Sequence, residues 1–263
     1  MSAWPLTDRR RIVGVFTDID DTLTTKSAIT PDALAALAAL REAGLHVIAL
    51  TGRPLGWCEP FVRDWPLDAI VAESGAAALI HQGGTTHTLY QQDAATRAAN
   101  TVRLQQVAAR ILREVPGAHI ATDSTGRETD LSIDHSEVHH LDEAHIAHVL
   151  AIMRAEGLQA TVSSIHINGG YGPHDKRAGA RWIVRERFGR DLDAERESWA
   201  FIGDSTNDAP LFDYLPNCIG VANIRRFLAA LPHPPRYITR SERGAGFAEM
   251  AQTLLAARGT MKK

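Results

Sequence analysis

The sequence predicts an α/β protein: a doubly wound, mainly parallel sheet interrupted by an inserted α+β unit. Three observations carry this. Short apolar runs such as IVGVF (12–16), LHVIAL (45–50) and WAFIG (199–203) are continuous rather than alternating, as in strands buried on both faces. Helical stretches separate them with short links, the pattern of parallel strands joined by helical crossovers. From residue 82 to about 170 the texture changes to alternating strands and two long helices, as in an antiparallel sheet covered on one side. The expected division is a core of residues 1–81 and 171–263 and an inserted domain of residues 82–170.

Each element has its own signal. IVGVF ends in the acid cluster DIDD (18–21). In ITPDALAALAALREAG, Thr30 suits an N-cap, Pro31 the first helical position and Gly44 the C-terminal stop. LHVIAL runs into TGRP, and LDAIVAESGA reads as a third strand. In the insertion, TTHTLYQ (85–91) is polar and alternating. A long helix over 94–115 is stopped by Pro116 and Gly117. AHIATD and ETDLSIDH suit paired strands around the turn STGR, and a helix over about 142–156 ends at Gly157. QATVSSIHING reads as one half-exposed strand. The doubly wound texture then returns: helix KRAGARWIVRERFG, strand SWAFIGD, short helix APLFDYL, and strands NCIGVAN and RYITR. There is no internal repeat.

Hydrophobic residues make up 44% and charged residues 22%, an ordinary globular balance. A net charge of −3 argues against a broad nucleic-acid surface, while leaving room for a local pocket that takes a small anion. Two cysteines, Cys58 and Cys218, argue against a disulfide framework and for a reducing cytoplasm. MSAWPLTDRRR lacks the apolar segment of a signal peptide, and no apolar stretch is long enough to cross a bilayer.

The polar clusters fall where ligands bind in open α/β sheets, at the carboxyl ends of the strands. They are Asp18-Ile19-Asp20-Asp21, Thr51-Gly52-Arg53 and Asp204-Ser205-Thr206-Asn207-Asp208, with Lys176 opening the helix before the last. So many carboxylates are tolerable around a hard divalent cation, and an all-oxygen ligand set suits Mg²⁺. Asp18 and Asp204 are the expected carboxylate ligands, with Asp208 near the cation and Asp20 contributing through its backbone carbonyl. The set suits phosphoryl transfer. Asp18 serves as the nucleophile. Asp20 serves as the proton donor to the leaving oxygen and then the base for water. Lys176, Thr51 and Gly52 stabilise the phosphoryl oxygens.

These residues resemble the motifs of the haloacid dehalogenase superfamily. DIDDTL is similar to its D-x-D-x-T signature, ALTGRP to its second motif, Lys176 to its third and GDSTNDAP to its acidic fourth, in the same order over residues 12–222. GAGFAEM resembles the C-terminal part of the same group. An insertion between the second and third motifs resembles the Cof-type branch (class IIB, α/β cap), which includes sucrose-phosphate phosphatase, mannosyl-3-phosphoglycerate phosphatase and phosphomannomutase. The resemblance implies an Mg²⁺-dependent phosphatase acting on a small phosphate ester, with a cap that closes over the site and selects the leaving group. Two departures stand out: Asp21 where glycine is common, and ESGA where many relatives have E-N-G-A.

Further substrate contacts are expected from Arg53, Asn207 and, in the insertion, Arg127, His166 and Asn168. His135, His139, His140, His145 and His148 are expected on a solvated surface, and Cys58 has no catalytic role. A sugar phosphomutase would share the same acylphosphate chemistry. A receiver-like phospho-acceptor would have no use for the second acid of the D-x-D pair or the large insertion. A two-carboxylate glycosidase gives no role to Lys176. The expected partner is a small-molecule phosphate ester, with neither nucleic acid nor membrane. The sequence leaves the oligomeric state open.

Overall fold

The computed structural model of the protein describes residues 1 and 3–259. The core opens with α1 (Leu6–Arg11), β1 (Gly14–Thr17), a small hairpin of β2 (Thr24–Thr25) and β3 (Ala28–Ile29), α2 (Pro31–Glu42), β4 (His46–Leu50), α3 (Leu55–Asp64), β5 (Ala69–Ala72), β6 (Ala77–Gln82) and β7 (Thr85–Tyr90). There follow α4 (Ala94–Glu114), β8 (His119–Ile120), β9 (Asp130–Asp134), α5 (Glu143–Ala155), β10 (Gln159–Val162) and β11 (His166–Gly170). The chain then returns through α6 (Lys176–Phe188), β12 (Trp199–Gly203), α7 (Ala209–Tyr214), β13 (Asn217–Gly220), β14 (Tyr237–Ile238) and α8 (Arg243–Gly259).

Eight strands form one sheet in the order β14-β13-β12-β1-β4-β5-β6-β7. It is parallel from β14 to β5 and antiparallel for β6 and β7. The pleat sends alternate residues to opposite faces. Val15, Val47 and Ala49 pack with Leu37 and Leu40 of α2, Val62 of α3 and Phe247 of α8. Phe16, Ile48 and Leu50 pack with Ile183 of α6 and Leu211 of α7 on the other side. Both faces are covered, which is why these strands read as continuous apolar runs.

The second sheet has the order β10-β11-β9-β8 and is antiparallel throughout. Leu131, Ile133 and Ile167 point into a cluster with Leu104 and Ile111 of α4 and Val149 and Ile152 of α5. The intervening residues, Asp130, Ser132, Asp134, His166 and Asn168, are polar and also buried. A buried polar face needs partners, and this one finds them partly across the junction with the core.

Two strand expectations change. TTHTLYQ forms β7 and pairs along its length with β6, so it belongs to the large sheet rather than to the insertion. Its polarity is that of an edge strand with one wet side. QATVSSIHING is a hairpin, β10 and β11, turning at Ser163–Ile165. The turn is held by the Ser163 hydroxyl, which accepts from the His166 N–H at 2.9 Å, and by the Ser163 N–H donating to the His166 carbonyl at 2.8 Å. That chemistry replaces the glycine a tight turn usually signals.

Candidate active site

The site lies at the carboxyl ends of β1, β4 and β12. Asp18 follows β1, Thr51-Gly52-Arg53 follow β4, and Asp204 follows β12. The β1–β4 and β1–β12 pairings place these ends side by side. Lys176 is the first residue of α6, whose N-terminus is fixed by Asp175 accepting from the Ala178 N–H at 2.7 Å. Asp208 closes a short 3₁₀ turn, Thr206–Asp208, in a capping box with Ser205. Its Oδ2 accepts from the N–H groups of Asp204 (2.8 Å) and Ser205 (3.1 Å). A Cβ at Gly203 would lie 2.3 Å from that oxygen, so the strand must end in glycine.

Lys176 Nζ donates to Asp18 Oδ1 at 2.5 Å and to Asp208 Oδ1 at 2.6 Å, with all three side chains buried. Burial pushes the Asp18 carboxyl up, and Asp208 and Asp20 add to this, while Lys176 pulls it down. Burial alone would lower Lys176, but Asp18 and Asp208 outweigh it and hold the ammonium charged. Burial likewise pushes Asp204 well above the usual carboxylate range, with Asp18 and Asp208 adding to it.

Asp18, Asp204 and Asp208 each present a carboxylate oxygen within 4.8 Å of the others, the one such group among the described residues able to hold a metal ion. Asp204 Oδ1 is buried and has no hydrogen-bond partner. A buried, unpaired carboxylate oxygen is costly unless a cation completes it. The donor set is all oxygen, which fits a hard divalent ion. The Asp20 carboxylate stands outside this group.

Asp20 is gripped by Arg53: Nη2 reaches Oδ1 at 2.9 Å and Nε reaches Oδ2 at 3.0 Å. The same guanidinium, only 3% exposed, meets Asp123 at 3.0 Å and Glu137 at 2.6 Å. Arg53 therefore clasps the second sheet's domain to the core, and it also lines the cleft beside Asp18 and Asp20. Glu137 is held in place from both sides, with His166 Nε2 at 2.9 Å, and is pulled down to about 2 by that hydrogen bond and by Arg53. Asp134 fixes the loop below it, accepting from the N–H groups of Glu137 (2.8 Å) and His139 (2.9 Å).

A narrow cleft opens beside these groups, lined by Asp18, Asp20, Gly52, Arg53 and Asn207 from the core and by Ser164 and His166 opposite. Asn168 also lines it, donating to the Gly52 carbonyl at 2.9 Å. A Cβ at Gly52 would lie 2.3 Å from the Asn168 amide nitrogen, so glycine is needed for this approach. Asn207 is tied to the Ser205 hydroxyl at 2.8 Å. Thr51, buried, accepts the Arg53 N–H at 3.0 Å and shapes the turn. Arg127 lies outside this pocket. It binds the Gly52 carbonyl (3.0 Å) and Asp130 (2.6 Å), bracing the junction.

Several residues at the junction had no role assigned from the sequence. Glu73, buried in ESGA with φ 49°, accepts from the N–H groups of Leu55 (3.1 Å) and Thr129 (2.6 Å). Asp123 and Glu137 lie in loops. His135, expected on the surface, is buried, its Nε2 3.1 Å from the Ser163 carbonyl. Cys58 is buried, and burial pushes its thiol well up, consistent with a packing role.

A sequence model described as haloacid dehalogenase-like hydrolase matches residues 15–167. A phosphoglycolate phosphatase of Pyrobaculum neutrophilum is 26% identical over 251 residues, covering 91% of this chain and 94% of the relative. A Thermoplasma acidophilum crystal structure shares the fold at a TM-score of 0.70 and 16% identity, over 93% of this chain and 98% of that one. The sucrose-phosphatase of Synechocystis, solved with sucrose and phosphate, does so at 0.65 and 14%, over 92% and 97%. A sugar phosphatase of subclass IIB matches at 0.64 and 14%, over 92% and 98%. With four motif clusters gathered at the carboxyl ends of neighbouring strands and a family match over more than half its length, the chain belongs to the haloacid dehalogenase-like hydrolases.

Proposed function

We propose that this phosphatase hydrolyses a small phosphorylated metabolite, a sugar phosphate or phosphorylated sugar derivative, through an aspartyl-phosphate on Asp18, with Mg²⁺ as its metal. The observation that carries this is Asp18 at the end of β1, with Lys176 at 2.5 Å and the unpartnered Asp204 Oδ1 in the same carboxylate group. Asp18, Asp204 and Asp208 would hold Mg²⁺, which when bound supplies positive charge against the phosphate dianion.

In this mechanism an Asp18 oxygen attacks phosphorus and the ester bond breaks. The leaving oxygen takes a proton from Asp20. Water then attacks the acylphosphate, gives its proton to Asp20, and releases phosphate and free Asp18. Lys176 keeps Asp18 oriented and offsets its charge. Asp20 delivers a proton only when Arg53 loosens its hold on one carboxylate oxygen. Thr51, Gly52 and Asn207 line the phosphate end, and His166 and Asn168 the leaving-group end. Arg53 and Arg127 act there by joining the two domains. In this reading the domain of the large sheet carries the chemistry and the insertion, α4 to β11, selects the leaving group. The two free cysteines fit action in the cytoplasm.

The test is phosphate release from a panel of phosphorylated sugars, glycerates and glycolate, with and without Mg²⁺, beside Asp18→Asn. Release that requires both Mg²⁺ and Asp18 supports the reading. Turnover retained by the folded Asp18→Asn variant overturns the mechanism, and preference for phosphoglycolate overturns the substrate class.

A further inference from the structure

Asp21 has two features that its position beside the catalytic carboxylates does not require. Its backbone is left-handed, with φ 56°, a conformation that costs a non-glycine residue about 1 kcal/mol. Its carboxylate is also met by two arginines. Arg226 Nη2 lies 3.3 Å from Asp21 Oδ2 and 3.4 Å from Asp204 Oδ2. Arg243, itself left-handed at φ 52°, places Nε 3.0 Å from Asp21 Oδ1. Asn223 frames the group: its Nδ2 donates to Asp204 Oδ2 and to the Asp21 carbonyl, each at 3.1 Å, and its Oδ1 accepts the Arg243 N–H at 3.0 Å.

Arg226 is thus shared between Asp21 and Asp204. A guanidinium that pairs fully with Asp204 competes with a cation for that carboxylate and repels the cation as well. The Arg226 side chain is 45% exposed and long enough to shift between the two. Asp21 offers the alternative partner. Its own direct pull on a cation is offset by the two arginines it carries.

We propose that Asp21 is a positioning residue that competes with Asp204 for Arg226, limits how fully the arginine pairs with Asp204, and thereby sets the affinity of the carboxylate site for a divalent cation. The proposal rests on the reading that Asp18, Asp204 and Asp208 hold such a cation. It accounts for a strained aspartate at a turn where glycine would fit without strain.

The experiment is calorimetric titration of the full chain with Mn²⁺ and Mg²⁺, which needs no turnover. Asp21→Asn should weaken binding about 10-fold. Arg226→Gln should bind at least as tightly as the unaltered protein. Asp21→Asn in the Arg226→Gln background should cost less than about 2-fold, because the competitor is gone. An equal cost in both backgrounds would mean that Asp21 simply attracts the cation, and an unchanged affinity for Asp21→Asn would mean that it does nothing; either overturns the proposal. Asp21→Gly, suited to φ 56°, repeats the measurement if the asparagine variant does not fold. No binding by the unaltered protein, or binding that survives Asp204→Asn, removes the metal-site reading itself and the proposal with it.

Discussion

Replacing Arg53 with methionine separates a clasp from a phosphate ligand. The side chain is 3% exposed and meets Asp20, Asp123 and Glu137 at 2.6 to 3.0 Å. Removing one partner of a buried ion pair leaves uncompensated charge and costs about 3–5 kcal/mol. Asp20 and Glu137 keep 15% and 18% of their surface in water, so the lower end applies, about 3 kcal/mol at pH 7. The loss must also depend on pH. Glu137 is held down to about 2 from its ordinary 4.5, by His166 first and then Arg53. A depressed carboxyl contributes stability above its ordinary value and loses it as the pH falls toward the depressed one. The gap between the two proteins should therefore narrow between pH 7 and pH 3. Urea unfolding at both pH values reads it. A variant within about 0.5 kcal/mol of the original at pH 7, or a gap that does not narrow in acid, would refute the argument. Weaker inhibition by inorganic phosphate with stability unchanged would return Arg53 to the phosphate site.

Lys176→Met should leave Asp18 and Asp208 without their shared cation, destabilise the metal-free protein by about 3 kcal/mol, and abolish phosphate release; full stability in chelator would contradict this. A divalent cation at roughly 100 times its dissociation constant should stabilise the protein by about 2.7 kcal/mol, an effect that Asp204→Asn removes in thermal melts. Glu73→Gln should cost about 2 kcal/mol, since an amide cannot accept from both Leu55 and Thr129 as the carboxylate does. Asp130 is pushed up to about 7 by burial, against the pull of Arg127. A raised carboxyl contributes stability in acid that is lost as the pH rises through 7, so Asp130→Asn should flatten that decline in unfolding measured from pH 5 to 8.

The polar cluster at the strand ends was legible because its members sit where a continuous apolar run stops at an acid or a threonine. Asp18, Thr51 and Asp204 needed only the prediction that their strands are neighbours, and the sheet order brings them together. The role of Arg53 was not legible, because its partners Asp123 and Glu137 lie 70 and 84 residues away in loops without periodicity. β7 was assigned to the insertion because an edge strand of the core and an outer strand of an antiparallel sheet share one polar alternation. The β10–β11 turn was missed because the Ser163 hydroxyl does the work there that glycine or asparagine would announce. Arg226 and Asn223 stand 19 to 22 residues beyond Asp204 with no signal except their place after β13.

The period-two face of the second sheet has a consequence for how such a protein can change. Ser132, His166 and Asn168 look toward the junction with the core, while their chain neighbours Ile133 and Ile167 fill the interior. Point substitutions at the first set can therefore vary the polar groups that face the junction without disturbing the packing of the second. A one-residue insertion or deletion within β9 or β11 does the opposite, turning isoleucines toward the junction and polar groups into the interior. Lineages of this protein should therefore diversify by substitution at alternate positions of these strands and confine changes of length to the loops between them.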